Sequence, residues 1–211
     1  MAQARGGSRH RNHIAQYVDT LPERYRQGLD DVTVAELVRD NVYHQAGHVV
    51  VCCLLYGARV IKSASILPDD EKLGEVVRFS ALPIPLTCRP SPEERKGPIP
   101  PDALVDAEGV FAYAGIAAED LRTARAGGAA AEASGGNDRA RLAARGSDDR
   151  HRLAKLASSL GRERPVDRFF EAYWEEARRL LHQNWECVER VVAALLEHGR
   201  LSGERIDSLV F

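Results

Sequence analysis

The sequence has no excess of charge of either sign and few aromatic residues. Lysine and arginine together number 29 against 31 aspartate and glutamate residues, which leaves a formal net charge of −2. Aromatic residues make up 6% of the chain. A nearly neutral chain disfavours a general nucleic-acid binder and a polybasic membrane clamp. We therefore expect no nucleic-acid partner.

Long hydrophobic runs and paired cysteines are also missing. The longest strongly apolar run is Val49–Tyr56, far below the about 20 residues that cross a bilayer, so we expect no membrane span. Residues 1–12 are polar, with no apolar segment behind them, which predicts a disordered leader rather than a signal peptide. None of the four cysteines forms a C-x-x-C pair. This pattern argues against a disulfide framework and favours the reducing cytoplasm.

The rest of the chain has the composition of one globular domain, which we place at residues 13–211. Hydrophobic residues make up 44% and charged residues 28% of the sequence, as in ordinary globular domains. Seven prolines predict a loop or extended arm at residues 83–101. Residues 127–147 are rich in glycine, alanine and arginine with little apolar periodicity, which predicts a second, mobile loop.

Capping signals and apolar periodicity predict a mainly α-helical fold, an α+β arrangement with a small sheet or hairpin. Thr33 followed by Glu36 is a capping-box pattern and Gly57 is a natural stop, so we predict a helix from Thr33 to Tyr56. Two strand-like runs next to it predict the β element. The predicted strands are 60–67 and 75–79; the predicted further helices are 101–126, 148–160, one long helix opened by Pro165 and ended by Gly199, and 204–209 capped by Ser202.

The chemistry-bearing feature is a pair of histidines inside the first predicted helix. His44 and His48 are four residues apart, which places both imidazoles on one helix face, close enough to bind one ion. Zinc accepts imidazole nitrogen, and a catalytic zinc site has three protein ligands and one open position. Seven histidines in the chain also make a chance pair possible, in which case both rings are hydrogen-bonded core groups. Gly47 between them costs about 1 kcal/mol relative to alanine in a helix, which predicts close approach of another backbone.

The stretch around these histidines resembles the zinc-binding helix of the FtsH-type peptidases. Residues 42–50 read V-Y-H-Q-A-G-H-V-V, which is similar to the family motif H-E-A-G-H-A. Downstream, S-I-L-P at 65–68, the pair Leu73-Gly74, Y-A-G-I-A-A-E at 113–119 and the C-terminal residues 195–203 resemble later elements of that family in the same order. The resemblance covers about residues 33–210. It implies a zincin-like peptidase fold, a bound Zn²⁺ and hydrolysis of peptide bonds by a zinc-activated water.

The resemblance also implies a third zinc ligand, an aspartate at the start of a later helix. Asp149, in the stretch G-S-D-D before a good helical pattern, is the favoured candidate because an aspartate there also complements the helix dipole. Asp138, in G-G-N-D before a weaker pattern, is the alternative, and His151 is a more remote one. The plain interpretation of either aspartate is a helix cap. Cys52 and Cys53 are interpreted as small buried hydrophobic residues rather than ligands.

Two departures from the family pattern limit what the resemblance implies. Gln45 stands where the family has the glutamate that acts as general base, and an amide cannot accept a proton at neutral pH, although its carbonyl can orient water. Loss of a general base typically lowers a rate about 10²–10⁴-fold. The chain is thus either a natural inactive relative or an engineered inactive variant. It also has no phosphate-binding loop of the G-x-x-x-x-G-K-[ST] type. We therefore expect either that an unfolding ATPase or adaptor is a separate protein or that the substrates are already unfolded or flexible.

The sequence therefore predicts a zinc metallopeptidase domain with His44, His48 and Asp149 around Zn²⁺ and Gln45 in the position of the base. The expected partner is a peptide or unfolded protein, which the resemblance places along the strand 75–79 as an added strand. A homo-oligomer is a further possibility that the resemblance raises. The rival interpretations are a non-catalytic zinc-containing protein-binding module and a metal-free helical interaction protein.

Overall fold

A computed structural model describes residues 13–68, 72–79, 101–127, 151, 154–155, 158 and 170–211. The predicted leader, the loop 83–101 except Pro101 and the loop 127–147 except Gly127 lie outside these residues. Asp138 and Asp149 lie outside them as well. Residues 151, 154, 155 and 158 are helical, in agreement with the helix predicted at 148–160.

The first long helix is the centre of the fold. Two short helical segments precede it, α1 (residues 13–18) and α2 (Glu23–Arg26), and the long helix α3 spans Asp31–Tyr56. Its N-cap is Asp30, whose side chain accepts a hydrogen bond from the Thr33 backbone N–H at 2.7 Å. The predicted start at Thr33 is therefore wrong by two residues, because Thr33 is the donor to the cap and not the cap itself. Gly57, with a φ of 86°, ends the helix as predicted.

The second half of α3 is buried on nearly all sides, as expected for a helix surrounded by other elements. Helix α4 (Pro101–Gly127) packs on one side of α3 and confirms the helix predicted at 101–126. A Cβ atom on Gly47 would lie 2.5 Å from the Ala114 carbonyl oxygen and 2.7 Å from the Ala118 Cβ. The prediction that Gly47 marks close approach of another backbone is confirmed.

The single long helix predicted before Gly199 is two helices in the structure. Helix α5 spans Phe170–Gln183 and packs against α4, and helix α6 spans Trp185–His198 and packs against α3. The break is at Asn184, whose side-chain amide donates to the Leu180 carbonyl at 2.8 Å. A side-chain donor that bonds the backbone in this way competes with the regular helix pattern. Gly199, with a φ of 70°, ends α6 as predicted.

A small antiparallel sheet lies beside α3. It consists of β1 (Ile61–Ser65), β2 (Glu75–Arg78) and β3 (Arg200–Ser202) in the order β2-β1-β3. The first two strands confirm the predicted β element, with shorter bounds, whereas β3 was not predicted. Ile61 pairs with Arg78 and Ser65 with Glu75, while Ser65 also pairs with Arg200 on the other side. Strand β2 thus forms one edge of the described sheet.

The last helix, α7 (Gly203–Val210), begins at the predicted cap, since the Ser202 hydroxyl accepts from the Arg205 backbone N–H. The coarse fold class is therefore confirmed: mainly helical with a small three-stranded antiparallel sheet. Across the described part of the chain, no helix combines the length and the apolar character needed to cross a membrane.

Candidate metal site on the central helix

His44 and His48 lie one turn apart on α3 and their rings converge. Their Nε2 atoms are 3.1 Å apart, and the rings meet edge to face with centroids 4.7 Å apart. Two zinc–nitrogen bonds of about 2.0–2.1 Å at a tetrahedral angle need their nitrogens about 3.4 Å apart. The pair is thus close to the separation that one ion requires. The same distance also fits an N–H···N hydrogen bond between the rings, which is the metal-free alternative.

Glu119 of α4 holds the other nitrogen of His44. The Nδ1 atom lies 2.7 Å from the Glu119 carboxylate, which is almost fully buried. A carboxylate accepts hydrogen bonds, so Nδ1 carries the hydrogen and the lone pair of the neutral ring is at Nε2, facing His48. A carboxylate behind a histidine is the usual outer partner of a metal-binding imidazole. Glu119 is a functional candidate that was not predicted from the sequence, although a glutamate at the end of an apolar helical stretch is a usable signal.

Small residues make room for the rings between α3 and α4. A Cβ atom on Gly115 would lie 2.5 Å from both ring nitrogens of His44. Because glycine leaves this space open, the His44 ring fits against α4 and reaches Glu119. Gly115 and Gly47 together fix how closely the two helices approach at this point.

A buried ion pair supports the other wall of the site. Phe111 contacts the His48 ring at a centroid distance of 4.7 Å, and the Arg78 guanidinium stacks over Phe111 at 3.9 Å. Arg78 donates two hydrogen bonds to Glu108, at 2.8 and 2.7 Å, and the Tyr56 hydroxyl donates to the same carboxylate at 2.6 Å. Burial opposes the charge of Arg78, but the bonds to Glu108 outweigh it, so the pKa of Arg78 is raised. The pair ties the edge strand β2 to α4.

Aromatic stacking joins α6 to the histidine-bearing segment of α3. Tyr43 stacks on Trp185 of α6 at a centroid distance of 5.8 Å, and its hydroxyl donates to Glu189 at 3.1 Å. Burial, followed by the nearby Glu189 carboxylate, raises the pKa of the Tyr43 hydroxyl. These contacts place α6 against the segment of α3 that carries the histidines.

Gln45 is buried, with 6% of its surface exposed, and its amide nitrogen is engaged. Nε2 donates to the Asn41 Oδ1 at 3.2 Å, and the Asn41 Nδ2 in turn donates to the Leu73 carbonyl at 2.9 Å. Asn41 thus connects the position of the predicted base to the segment between β1 and β2.

The predicted third zinc ligand is not tested by the structure. Asp149 and Asp138 lie outside the described residues, and His151 is an exposed helical residue. Among the residues that are described, no three histidine, cysteine, aspartate or glutamate side chains are placed to hold one ion. Cys52 and Cys53 are fully buried, and burial raises the pKa of both thiols, that of Cys52 to about 12. They are buried small residues, as predicted.

Comparison with known proteins gives no match, either to a protein-family model or to a curated protein. The interpretation of the site therefore depends on its own geometry and on the residues that form it.

Proposed function

We propose that this chain is a zinc-binding domain of the FtsH peptidase type, with His44 and His48 as two of the zinc ligands. The observation that carries the proposal is the 3.1 Å separation of their Nε2 atoms, with Glu119 bonded to the far side of His44. This donor set fits two positions of a tetrahedral site and the carboxylate that orients one of them. When bound, zinc supplies a Lewis acid that activates water for attack on a carbonyl.

The third ligand in this proposal is Asp149, with Asp138 as the alternative. His44 and His48 fill two of the four positions of a tetrahedral zinc site, so one more protein ligand is needed beside the open position of a catalytic site. The family resemblance implies that this ligand is an aspartate. Asp149 precedes residues that are helical, which suits an aspartate at the beginning of a helix.

Gln45 determines what the domain does with a bound peptide. Its amide cannot take a proton from water, so general-base catalysis is absent and hydrolysis falls by about 10²–10⁴-fold relative to an enzyme that has the base. The proposed activity of this chain is therefore peptide binding with slow or no cleavage. A peptide or an unfolded segment is the proposed partner.

The proposed peptide position is the outer edge of β2. The strand is at the edge of the described sheet, and Arg78 anchors its end through Glu108. Backbone groups at a sheet edge can pair with an added extended strand. Arg78 of this strand also stacks over Phe111, which contacts the His48 ring, so a peptide on this edge would lie near the histidine pair.

Metal titration tests the proposal. We expect one Zn²⁺ per chain, with affinity at least 10-fold lower in His44→Ala and in His48→Ala, and unchanged in His182→Ala, which removes an exposed histidine on α5. Competition with a chelator of known affinity measures the dissociation constants. No zinc binding by the parent chain, together with an unfolding midpoint that chelator leaves unchanged, would contradict the proposal and favour the metal-free alternative.

A second candidate is a non-catalytic zinc-containing protein-binding module, which the bond between Gln45 and Asn41 favours. The two candidates differ in the response of an unfolded substrate to variants at position 45. The peptidase-type proposal expects cleavage once a carboxylate is accommodated there, whereas the module binds the substrate and leaves it intact in every variant.

A further inference from the structure

The orientation of the Asn41 side chain is fixed by the backbone around it. Its Nδ2 lies 2.9 Å from the Leu73 carbonyl oxygen and 3.5 Å from that of Ile66. Carbonyl oxygens only accept hydrogen bonds, so the NH₂ end of the Asn41 amide must face them. Its oxygen, Oδ1, is then the end that faces position 45.

Because the Asn41 Oδ1 only accepts hydrogen bonds, the side chain of residue 45 that faces it must donate one. Gln45 supplies one, since its Nε2 lies 3.2 Å from the Asn41 Oδ1. A carboxylate of the same shape would put an acceptor against an acceptor, in a place where only 6% of the residue is exposed and water gives little relief. The surroundings of position 45 thus match an amide and oppose a carboxylate.

We propose that Asn41 is a positioning residue that selects an amide at position 45, so that the site is built around glutamine. Gln45 is then one half of a matched pair, and exchanging it for glutamate alone does not rebuild a working base. The hydrogen-bond argument stands on its own contacts, while its consequence for catalysis rests on the proposed function.

A double-mutant cycle in thermal unfolding tests the pair without any activity measurement. We expect Gln45→Glu to lower the unfolding midpoint by roughly 3–8 °C, because a charged acceptor then faces the Asn41 oxygen. In the Asn41→Ser background, where a hydroxyl can donate to the carboxylate, the same change is expected to lower the midpoint by less than half as much.

A matched apolar variant separates repulsion from the simple loss of a bond. Gln45→Met has a similar length and no polar group, so it loses the bond but brings no opposing acceptor. With Asn41 present, we expect the unfolding midpoint of Gln45→Met to be higher than that of Gln45→Glu. In the Asn41→Ser background, we expect the midpoint of Gln45→Met to be lower than that of Gln45→Glu. Equal effects of Gln45→Glu in both backgrounds would overturn the proposal. If Gln45→Glu alone gives no folded protein, recovery of cooperative unfolding by Asn41→Ser supports the pairing, and failure to recover contradicts it.

A cleavage assay on an unfolded protein extends the test to function. The expected result is at least 10-fold faster cleavage by Asn41→Ser with Gln45→Glu than by Gln45→Glu alone, both loaded with Zn²⁺. Equal rates would overturn the role of Asn41 in catalysis. The two failures are distinguishable. The unfolding cycle is read without metal and tests the Asn41–Gln45 pairing alone, whereas absence of zinc binding by the parent chain, or of cleavage by every zinc-loaded variant, counts against the proposed function.

Discussion

The imidazole ring of His44 lies directly against the Cα of Gly115, with no room for a side chain between them. A Cβ atom on Gly115 would lie 2.5 Å from both ring nitrogens. Real Cβ atoms essentially never come this close to another heavy atom. The ring reaches Glu119 only because residue 115 has no side chain. A glycine on one helix thus determines the position of a histidine on another.

Gly115→Ala is expected to displace the His44 ring, lower stability by about 1–3 kcal/mol through overpacking and weaken zinc binding at least 10-fold. The matched control is Gly109→Ala on the same helix, whose Cβ would lie 2.6 Å from the Tyr173 ring instead. Both variants should lose stability in urea unfolding, but only Gly115→Ala should lose zinc affinity. Equal zinc affinity of the two variants would contradict the role assigned to Gly115.

Glu119→Gln is expected to weaken zinc binding about 10–100-fold, because an amide holds the His44 Nδ1–H less strongly than a carboxylate and no longer favours the ring orientation. Glu189→Gln is the control, since Glu189 accepts from the neighbouring Tyr43 and not from a histidine. Titration of each variant against a competing chelator gives the two affinities. The assignment of Glu119 fails if both variants bind zinc as the parent chain does.

The Arg78–Glu108 pair predicts a large loss of stability when one partner is removed. The two side chains are only 19% and 10% exposed, so Glu108→Leu leaves a buried guanidinium without its partner and is expected to lower the free energy of unfolding by about 3–5 kcal/mol. The double variant Arg78→Met with Glu108→Leu should recover most of that loss.

The exposed Arg179–Glu176 pair is the matched control for this buried pair. Glu176→Leu is expected to change the free energy of unfolding by less than about 1 kcal/mol. Urea unfolding of all variants measures the differences. Equal losses of unfolding free energy in Glu108→Leu and Glu176→Leu would contradict the expectation that burial makes the Arg78–Glu108 pair costly to break.

Alkaline solution is expected to unfold the chain progressively. Burial raises the pKa of Tyr56, assisted by Glu108, and of Cys52 and Cys53, so the folded chain keeps protons that the unfolded chain loses. Their contribution to stability is complete below the ordinary thiol pKa of about 8.5 and declines as the pH rises from there towards the raised values.

Cys53→Ala tests this pH dependence. The variant is expected to be less stable at pH 7 by about 1 kcal/mol because of the cavity, but to lose stability less steeply above pH about 9, by up to about 1.4 kcal/mol per pH unit. Urea unfolding under reducing conditions, from pH 7 to 10.5, gives both curves. If the unfolding free energies of the parent chain and Cys53→Ala fall in parallel as the pH rises, the Cys53 thiol does not contribute to the pH dependence.

Local signals in the sequence predicted a large part of the helical framework. Gly57 and Gly199 end helices and Ser202 caps one, because each acts on backbone groups within a few residues of itself. The same is true of the shared face of His44 and His48, which follows from the period of a helix. Near Asp30 and Asn184 the local signals were misjudged: the cap lies before Thr33, and one side-chain amide divides the long helix.

Contacts between distant parts of the chain were decided only by the tertiary structure. Strand β3 pairs with β1 across more than 130 residues, and Glu119 meets His44 across 75. Asn41 is turned towards Gln45 by the Leu73 carbonyl, 32 residues away. No periodicity or capping rule encodes such contacts, since they arise when helices and strands pack and each buried polar group must find a partner. The sequence by itself determined which residues share a helix face, whereas packing determined which groups face them.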